Sequence, residues 1–321
     1  MDKPILLSSL MSRLYSASAG EELSVFAGVP YLIVEVDDDS SSFGYAPSCP
    51  VIAISDRAAP AIADVVVSNE TDAVAVAEAV SRNPIAAMVL VRLLRHNENV
   101  DAYDGLFAES LAYSTLQHGA EFESWLNERK PREPVPEPDE PPVLLAREGN
   151  VLRVTLNRPT KRNAFSGAMR DALCEALQLL ADDRGIVRAI LDGAGVCFSA
   201  VGDLDEFGEA RDAGRAHASR VTRSAGALVH KLRERIVVHL HGACIGAGIE
   251  LPAFAGHVTA RPDAFFQLPE VSFGLVPGAG GTVSILPRIG RHRLAYMALT
   301  ASRIDAVTAL EWGLVDEIED G

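Results

Sequence analysis

The sequence lacks the marks of several protein classes. No stretch approaches the ~18 uncharged apolar residues that a membrane-spanning helix needs. The N-terminus has no basic region followed by an apolar core and a small-residue cleavage site, so no signal peptide is expected. Cysteine is scarce, at four residues (Cys49, Cys174, Cys197 and Cys244), and none forms a Cys-x-x-Cys pair. A zinc ribbon or a dithiol redox centre is therefore not expected, and the four read as reduced thiols of a cytoplasmic protein. Positive charge is also short: 29 Lys and Arg stand against 44 Asp and Glu, a formal net charge of -15. That balance argues against a general nucleic-acid binder, which presents a basic face.

What is present divides in two. The 321 residues are too many for one average core, and the composition breaks near the middle. Residues 1–140 carry 9 basic and 23 acidic side chains, whereas residues 141–321 carry 20 and 21. An anionic ligand therefore sits more easily on the second part. Between the parts runs a proline-rich, charged stretch over residues 131–142, which can form neither a helix nor a central strand and reads as a semi-rigid linker.

In the first part, Tyr31–Val36 and Val51–Ile54 read as strands joined by a polar loop over residues 37–42. Its Asp37-Asp38-Asp39 is read as a solvated turn rather than a cation loop. A helical pattern over residues 70–96 is interrupted near Pro84. A second amphipathic helix is predicted over 101–129, with Leu106, Leu111, Leu116, Phe122 and Trp125 on roughly one side. In the second part, strands are predicted at 151–157, 187–191 and 236–240, with helices over about 166–182 and 210–233. This alternation argues for parallel strands with crossover helices.

Three segments combine glycines and carboxylates where strands end. They are Cys197–Leu204, His241–Glu250, and Gln267–Glu270 together with Gly274–Thr282. Small residues there let backbone approach a ligand, and amides at a helix start favour negative charge. Two amides from separate segments can form an oxyanion hole. Each segment alone has a plainer reading, in packing glycines or solvated first-turn acids. Gly278–Thr282 lacks the Gly-Lys-Ser/Thr ending of a phosphate loop and reads as a turn into a helix. His239 and His241 alternate on a strand but have no third ligand in view, so no metal site is expected.

Taken together, the segments resemble the enoyl-CoA hydratase/isomerase (crotonase) family over about residues 143–319. The anchors are Asn157–Phe165, Phe198–Leu204, Gly246–Leu251, Pro269-Glu270 and Gly274–Thr282. The resemblance implies an α/β fold, with a crotonase-like core of stacked β-β-α units over 143–321 and a mixed α/β, largely helical N-terminal lobe over 1–130. Position by position, Gly202 and Ala247 match the two oxyanion amides. Glu250 and Glu270 match the two glutamates of true hydratases, Glu250 for water and Glu270 for the α-carbon proton. Ala200, Asp203 and Leu204 lie where the family wraps the adenine end of coenzyme A, and Lys161, Arg162 and Ala164 lie near its mouth. The implied reaction is hydration of a 2-enoyl-CoA to a 3-hydroxyacyl-CoA. It needs no metal or redox cofactor and involves neither nucleic acid nor membrane, and the protein is expected to be a homotrimer or hexamer. Double-bond isomerisation, C–C cleavage and acyl-CoA binding without turnover are the alternatives.

There are departures from the family's pattern. Val201 replaces a usual glycine, and Gly256 stands where many members have Asp. The chain also stops near residue 321, where most members continue for several helices. Segments resembling those helices stand in front instead, within residues 63–131. A permutation-like arrangement is therefore expected, in which 63–131 dock onto 143–321 and complete the site.

Overall fold

The computed structural model describes residues 4–37, 46–56, 60–129 and 140–319. Most of the proline-rich linker, and most of the acidic loop that begins at Asp37, lie outside the described residues.

From residue 143 the chain repeats one unit. A strand joins a six-stranded sheet, the next short strand joins a four-stranded sheet, and helical turns follow. Arg188–Gly193 is succeeded in this way by Ser199–Ala200, Ile236–Leu240 by Ala243–Ile245, and His257–Ala260 by Phe265–Gln267. The larger sheet runs Glu317–Ile318, His257–Ala260, Ile236–Leu240, Arg188–Gly193, Val151–Leu156, Val143–Glu148, and only the last pair is antiparallel. Alternation sets the faces: Leu152, Val154 and Leu156 are buried while the residues between them are half-buried. The helix Gly167–Asp182 starts at Ser166, whose hydroxyl accepts from the Met169 amide, and buries Met169, Leu173, Leu177 and Leu180 along one stripe.

The N-terminal part contains its own parallel sheet. Ile5–Leu6, Leu32–Glu35, Val51–Ile54 and Val65–Val67 lie side by side in sequence order. Alternate residues of these strands enter different cores. Leu32, Val34, Val51 and Ala53 pack with Leu7, Leu10 and Leu14, whereas Ile33, Ile52, Val65 and Val67 belong to the main core of the molecule.

Four helices follow. Glu70–Arg82 and Pro84–Asn97 bend by 110° at Pro84, where the ring cannot continue the first helix but starts the second. The single helix expected over 101–129 is two, Ala102–Leu116 and Ala120–Glu128, broken at Gly119, which adopts an extended conformation and caps the second. Among the described residues, no single helix is long and apolar enough to cross a membrane.

These helices share one continuous core with residues 143–315, to which Ala86, Leu90, Leu94 and Phe122 contribute fully buried side chains. Phe122 and Trp125 pack against Phe207 and Phe273, with ring centroids 4.6 to 6.2 Å apart. Burial of Phe122 alone is worth about 2–3 kcal/mol. Polar contacts cross the same boundary. Asn83 donates to the Val271 carbonyl at 2.9 Å, and Arg129 to the Leu204 carbonyl at 2.7 Å.

Candidate active site

Three neighbouring parallel strands end together. Ala200 and Gln267 flank Ile245 in register, so the segments that leave Ser199–Ala200, Ala243–Ile245 and Phe265–Gln267 emerge side by side. They carry Gly202, Ala247 and Glu270, and ligands of open parallel sheets bind at such carboxyl ends. A cavity of about 430 Å³ opens there. Gly202, Ala247, Glu250 and Glu270 all line it.

Among the described residues, the backbone amides of Gly202 and Ala247 donate to no protein acceptor. Ala247 opens the short helical turn Ala247–Glu250, which leaves its amide unpaired within the turn. Gly246 just before it sits at φ 56, and a Cβ there would lie 2.5 Å from Glu270 Oε1. Only glycine serves both the backbone angle and the close approach of the carboxyl.

The two glutamates are buried in unlike surroundings. Glu250 is 2% exposed, and its Oε2 accepts from the amides of Ala279 at 2.8 Å and Gly281 at 2.9 Å. Burial pushes its carboxyl up to about 7, against those amides, which favour the charged form. Glu270 is 6% exposed, and its Oε2 is buried without a hydrogen-bond partner among the described residues. Burial, and then the Glu250 charge, push it well above the usual carboxylate range.

A third carboxyl faces the cavity, one that sequence reasoning missed. Glu109, on Ala102–Leu116, is 2% exposed. It accepts from the Gly280 amide at 2.7 Å, the Thr282 amide at 2.9 Å and the Thr282 hydroxyl at 2.6 Å. Burial and the neighbouring Glu250 push it up to about 8. A polar stripe was the available signal: Glu109, Ser110, Tyr113 and Ser114 occupy the buried face of their helix.

Of the six residues matched to coenzyme A contacts, Asp203 alone lines the cavity among the described residues. Its carboxylate is committed to Arg158, 2.7 Å away and equally buried. Lys161 Nζ stands 3.2 Å from Asp205, and Arg162 is exposed in the left-handed region at φ 53. Ala164 is buried, and Ala200 and Leu204 are half-buried off the cavity wall. Val201 holds φ 68, an outlier for a β-branched residue.

Elsewhere, Cys197 and Cys244 are buried thiols raised above their ordinary value by desolvation. His239 meets Glu319 and Thr259, and no cluster of three or more potential metal ligands occurs among the described residues.

Comparison with known proteins matches the same half of the chain. The sequence model of the family described as Enoyl-CoA hydratase/isomerase covers residues 146–320. The chain is 32% identical over 176 residues to 2,3-dehydroadipyl-CoA hydratase of Escherichia coli, covering 55% of this chain and 68% of that protein. It is 35% identical to 1,2-epoxyphenylacetyl-CoA isomerase of the same organism, covering 56% and 70%. Among solved structures, an enoyl-CoA hydratase from Thermoplasma volcanium superposes with a TM-score of 0.53 at 30% identity, over 57% of this chain and 73% of that one. Other curated relatives are spanned over 61–66% of their length.

Proposed function

The chain belongs to the enoyl-CoA hydratase/isomerase family, with the crotonase fold, and from that premise we propose that it adds water across the double bond of a 2-enoyl-CoA. One observation carries the reading: Glu250 and Glu270 face a single cavity with opposite support for charge. Glu250 holds two amides on one oxygen, whereas Glu270 has an oxygen with no partner among the described residues. A hydratase needs one carboxylate and one carboxylic acid, and this asymmetry supplies the pair.

In this reading, Glu250 takes a proton from water as the water oxygen bonds to C3. The electron pair of the double bond moves toward the thioester, whose oxygen becomes an enolate. The free amides of Gly202 and Ala247 meet that oxygen. Glu270 then gives its proton to C2, the thioester carbonyl re-forms, and proton exchange between the two glutamates resets the site. No step calls for a metal or a redox cofactor. Lys161 and Arg162 are the basic groups assigned to coenzyme A phosphates, and a homotrimer or hexamer is the assembly.

The same proposal has residues 63–131 standing in for the covering helices that most members carry after the matched segment. Two facts support it. Ala102–Leu116 lines the cavity, and Glu109 is bonded to the loop that also holds Glu250.

The test is loss of enoyl thioester absorbance with crotonyl-CoA. Wild-type turnover should fall by ~10²-fold or more in Glu250→Gln and in Glu270→Gln. Turnover untouched by both variants, or no turnover beside measurable acyl-CoA binding, overturns the reading.

A further inference from the structure

The cavity wall carries charge of both signs. Asp203, Glu206, Glu109, Glu250 and Glu270 line it, and so do Arg170, Arg220 and Arg223. Two of the arginines are already neutralised. Arg170 lies 2.8 Å from Asp171, and Arg223 lies 3.3 Å from Asp171 and 3.0 Å from Glu175.

Arg220 differs. No carboxylate lies within 4.0 Å of its guanidinium among the described residues. Its contacts are neutral: one nitrogen donates to the Ser114 hydroxyl at 3.2 Å, another to the Gln117 side-chain carbonyl at 3.0 Å, and the Tyr113 ring centroid stands 4.3 Å away. Burial lowers its affinity for the proton, with desolvation the leading cause. A guanidinium carries five N–H donors, so these partners leave donors over. They also leave it without a paired carboxylate, its charge offset only in part by Glu109 from beyond 4.0 Å. Neutral oxygens satisfy the bonds of a partly desolvated cation but not its charge; a carboxylate satisfies both, in a planar two-point match.

The apolar side chains of Leu106 and Phe107 line the same cavity as Arg220 and the glutamates. An acyl chain whose thioester lies at Gly202 and Ala247 therefore has apolar wall and Arg220 within one cavity.

We propose that Arg220 is a specificity-determining residue that receives an anionic end of the acyl chain, so that the preferred thioesters carry an ω-carboxylate in place of a plain alkyl terminus. This rests on the acyl-CoA reading for where the thioester lies, but not on which reaction follows.

Saturated thioesters separate the two, because they bind without being hydrated. Calorimetric titration should compare adipyl-CoA with hexanoyl-CoA, and suberyl-CoA with octanoyl-CoA. Wild-type protein should bind the dicarboxylic member of at least one pair about tenfold more tightly or better. Arg220→Met should abolish that preference while leaving affinity for the monocarboxylic member within about threefold, which also reports an intact fold. Arg220→Lys, which keeps a charge without the planar fork, should retain part of the preference. Equal wild-type affinity within both pairs overturns this inference alone. So does a loss in Arg220→Met that weakens both members alike, which would make Arg220 a packing residue between helices. Binding of none of the four thioesters overturns it together with the acyl-CoA reading.

Discussion

Glu109 and Glu250 take alternate amides of one loop. Glu250 accepts from Ala279 and Gly281, and Glu109 accepts from Gly280 and Thr282. One glutamate lies in the family-matched half and the other on a helix outside it. The loop that fixes Glu250 is therefore itself fixed from the N-terminal half of the chain.

Removing Glu109 should be costly. Glu109→Ala leaves two buried amides and the Thr282 hydroxyl without an acceptor, at ~1–3 kcal/mol each when no water replaces it. A loss of about 3 kcal/mol or more in urea denaturation is expected. Glu109→Gln, which keeps one acceptor oxygen, should lose less. An unchanged denaturation midpoint in Glu109→Ala would show that the loop needs no second anchor.

Stability should fall as pH rises through neutrality. Glu109 and Glu250 release their protons near the ordinary 4.5 in the unfolded chain, but only at about 8 and about 7 in the folded one. Between those limits the folded protein holds more protons, so the slope of unfolding free energy against pH is negative. Their contribution is full below about 4.5 and is lost as pH passes 7 to 8. Urea titrations across that range should show the decline, and Glu109→Gln should flatten it. A slope identical in wild type and variant would remove Glu109 as its source.

The same substitution should have opposite signs at two valines. Val201 sits at φ 68, where a branched side chain is strained by ~1–3 kcal/mol. Relief in Val201→Gly offsets the ~0.5–1 kcal/mol of added backbone freedom, giving equal or higher stability. Val154, 2% exposed in a central strand, has no strain to relieve, and Val154→Gly should cost about 3 kcal/mol or more. Thermal melts of the two variants side by side decide it, and parallel losses would refute strain at Val201.

Arg291 ties the N-terminal sheet to the core. It bonds the Ala63 carbonyl at 2.6 Å, the Ala61 carbonyl at 2.9 Å, Glu98 at 2.8 Å and Asp64 at 3.1 Å. Asp64 is fully buried and also accepts from the Val51 amide and from Arg95. Arg291→Met should cost ~3–5 kcal/mol, the usual loss when one member of a buried charge network is removed. Faster amide hydrogen exchange in Val51–Ile54 is the local readout, and exchange that matches wild type would place the tie elsewhere.

The legible parts of the sequence were those governed by local pattern. Leu152, Val154 and Leu156 announce a strand by alternation, and Ser166 announces the start of a helix. The motif segments around Gly202, Ala247, Glu250 and Glu270 are recognisable because close approach of backbone and carboxyl leaves few residue choices, as Gly246 shows. Glu109 was not legible. Its helix was read from Leu106, Leu111 and Leu116, yet Leu111 is 44% exposed and the buried stripe is polar. A carboxyl enters that stripe only because the loop at Gly280 and Thr282, about 170 positions further on, offers donors. No periodicity encodes a partner that distant. Arg220 was hidden for the same reason, since Tyr113, Ser114 and Gln117 reach it from another helix.

The shared core also sets an order of events during synthesis. The helices up to Glu128 leave the ribosome before the strands they pack upon. At ~5–20 residues per second, about 10–40 s separate Glu128 from Ile318. Through that interval Leu90, Leu94 and Phe122, fully buried in the finished protein, have no complete surface to meet. The nascent chain thus carries an unsatisfied apolar face through that interval, the kind of surface that chaperones hold apart.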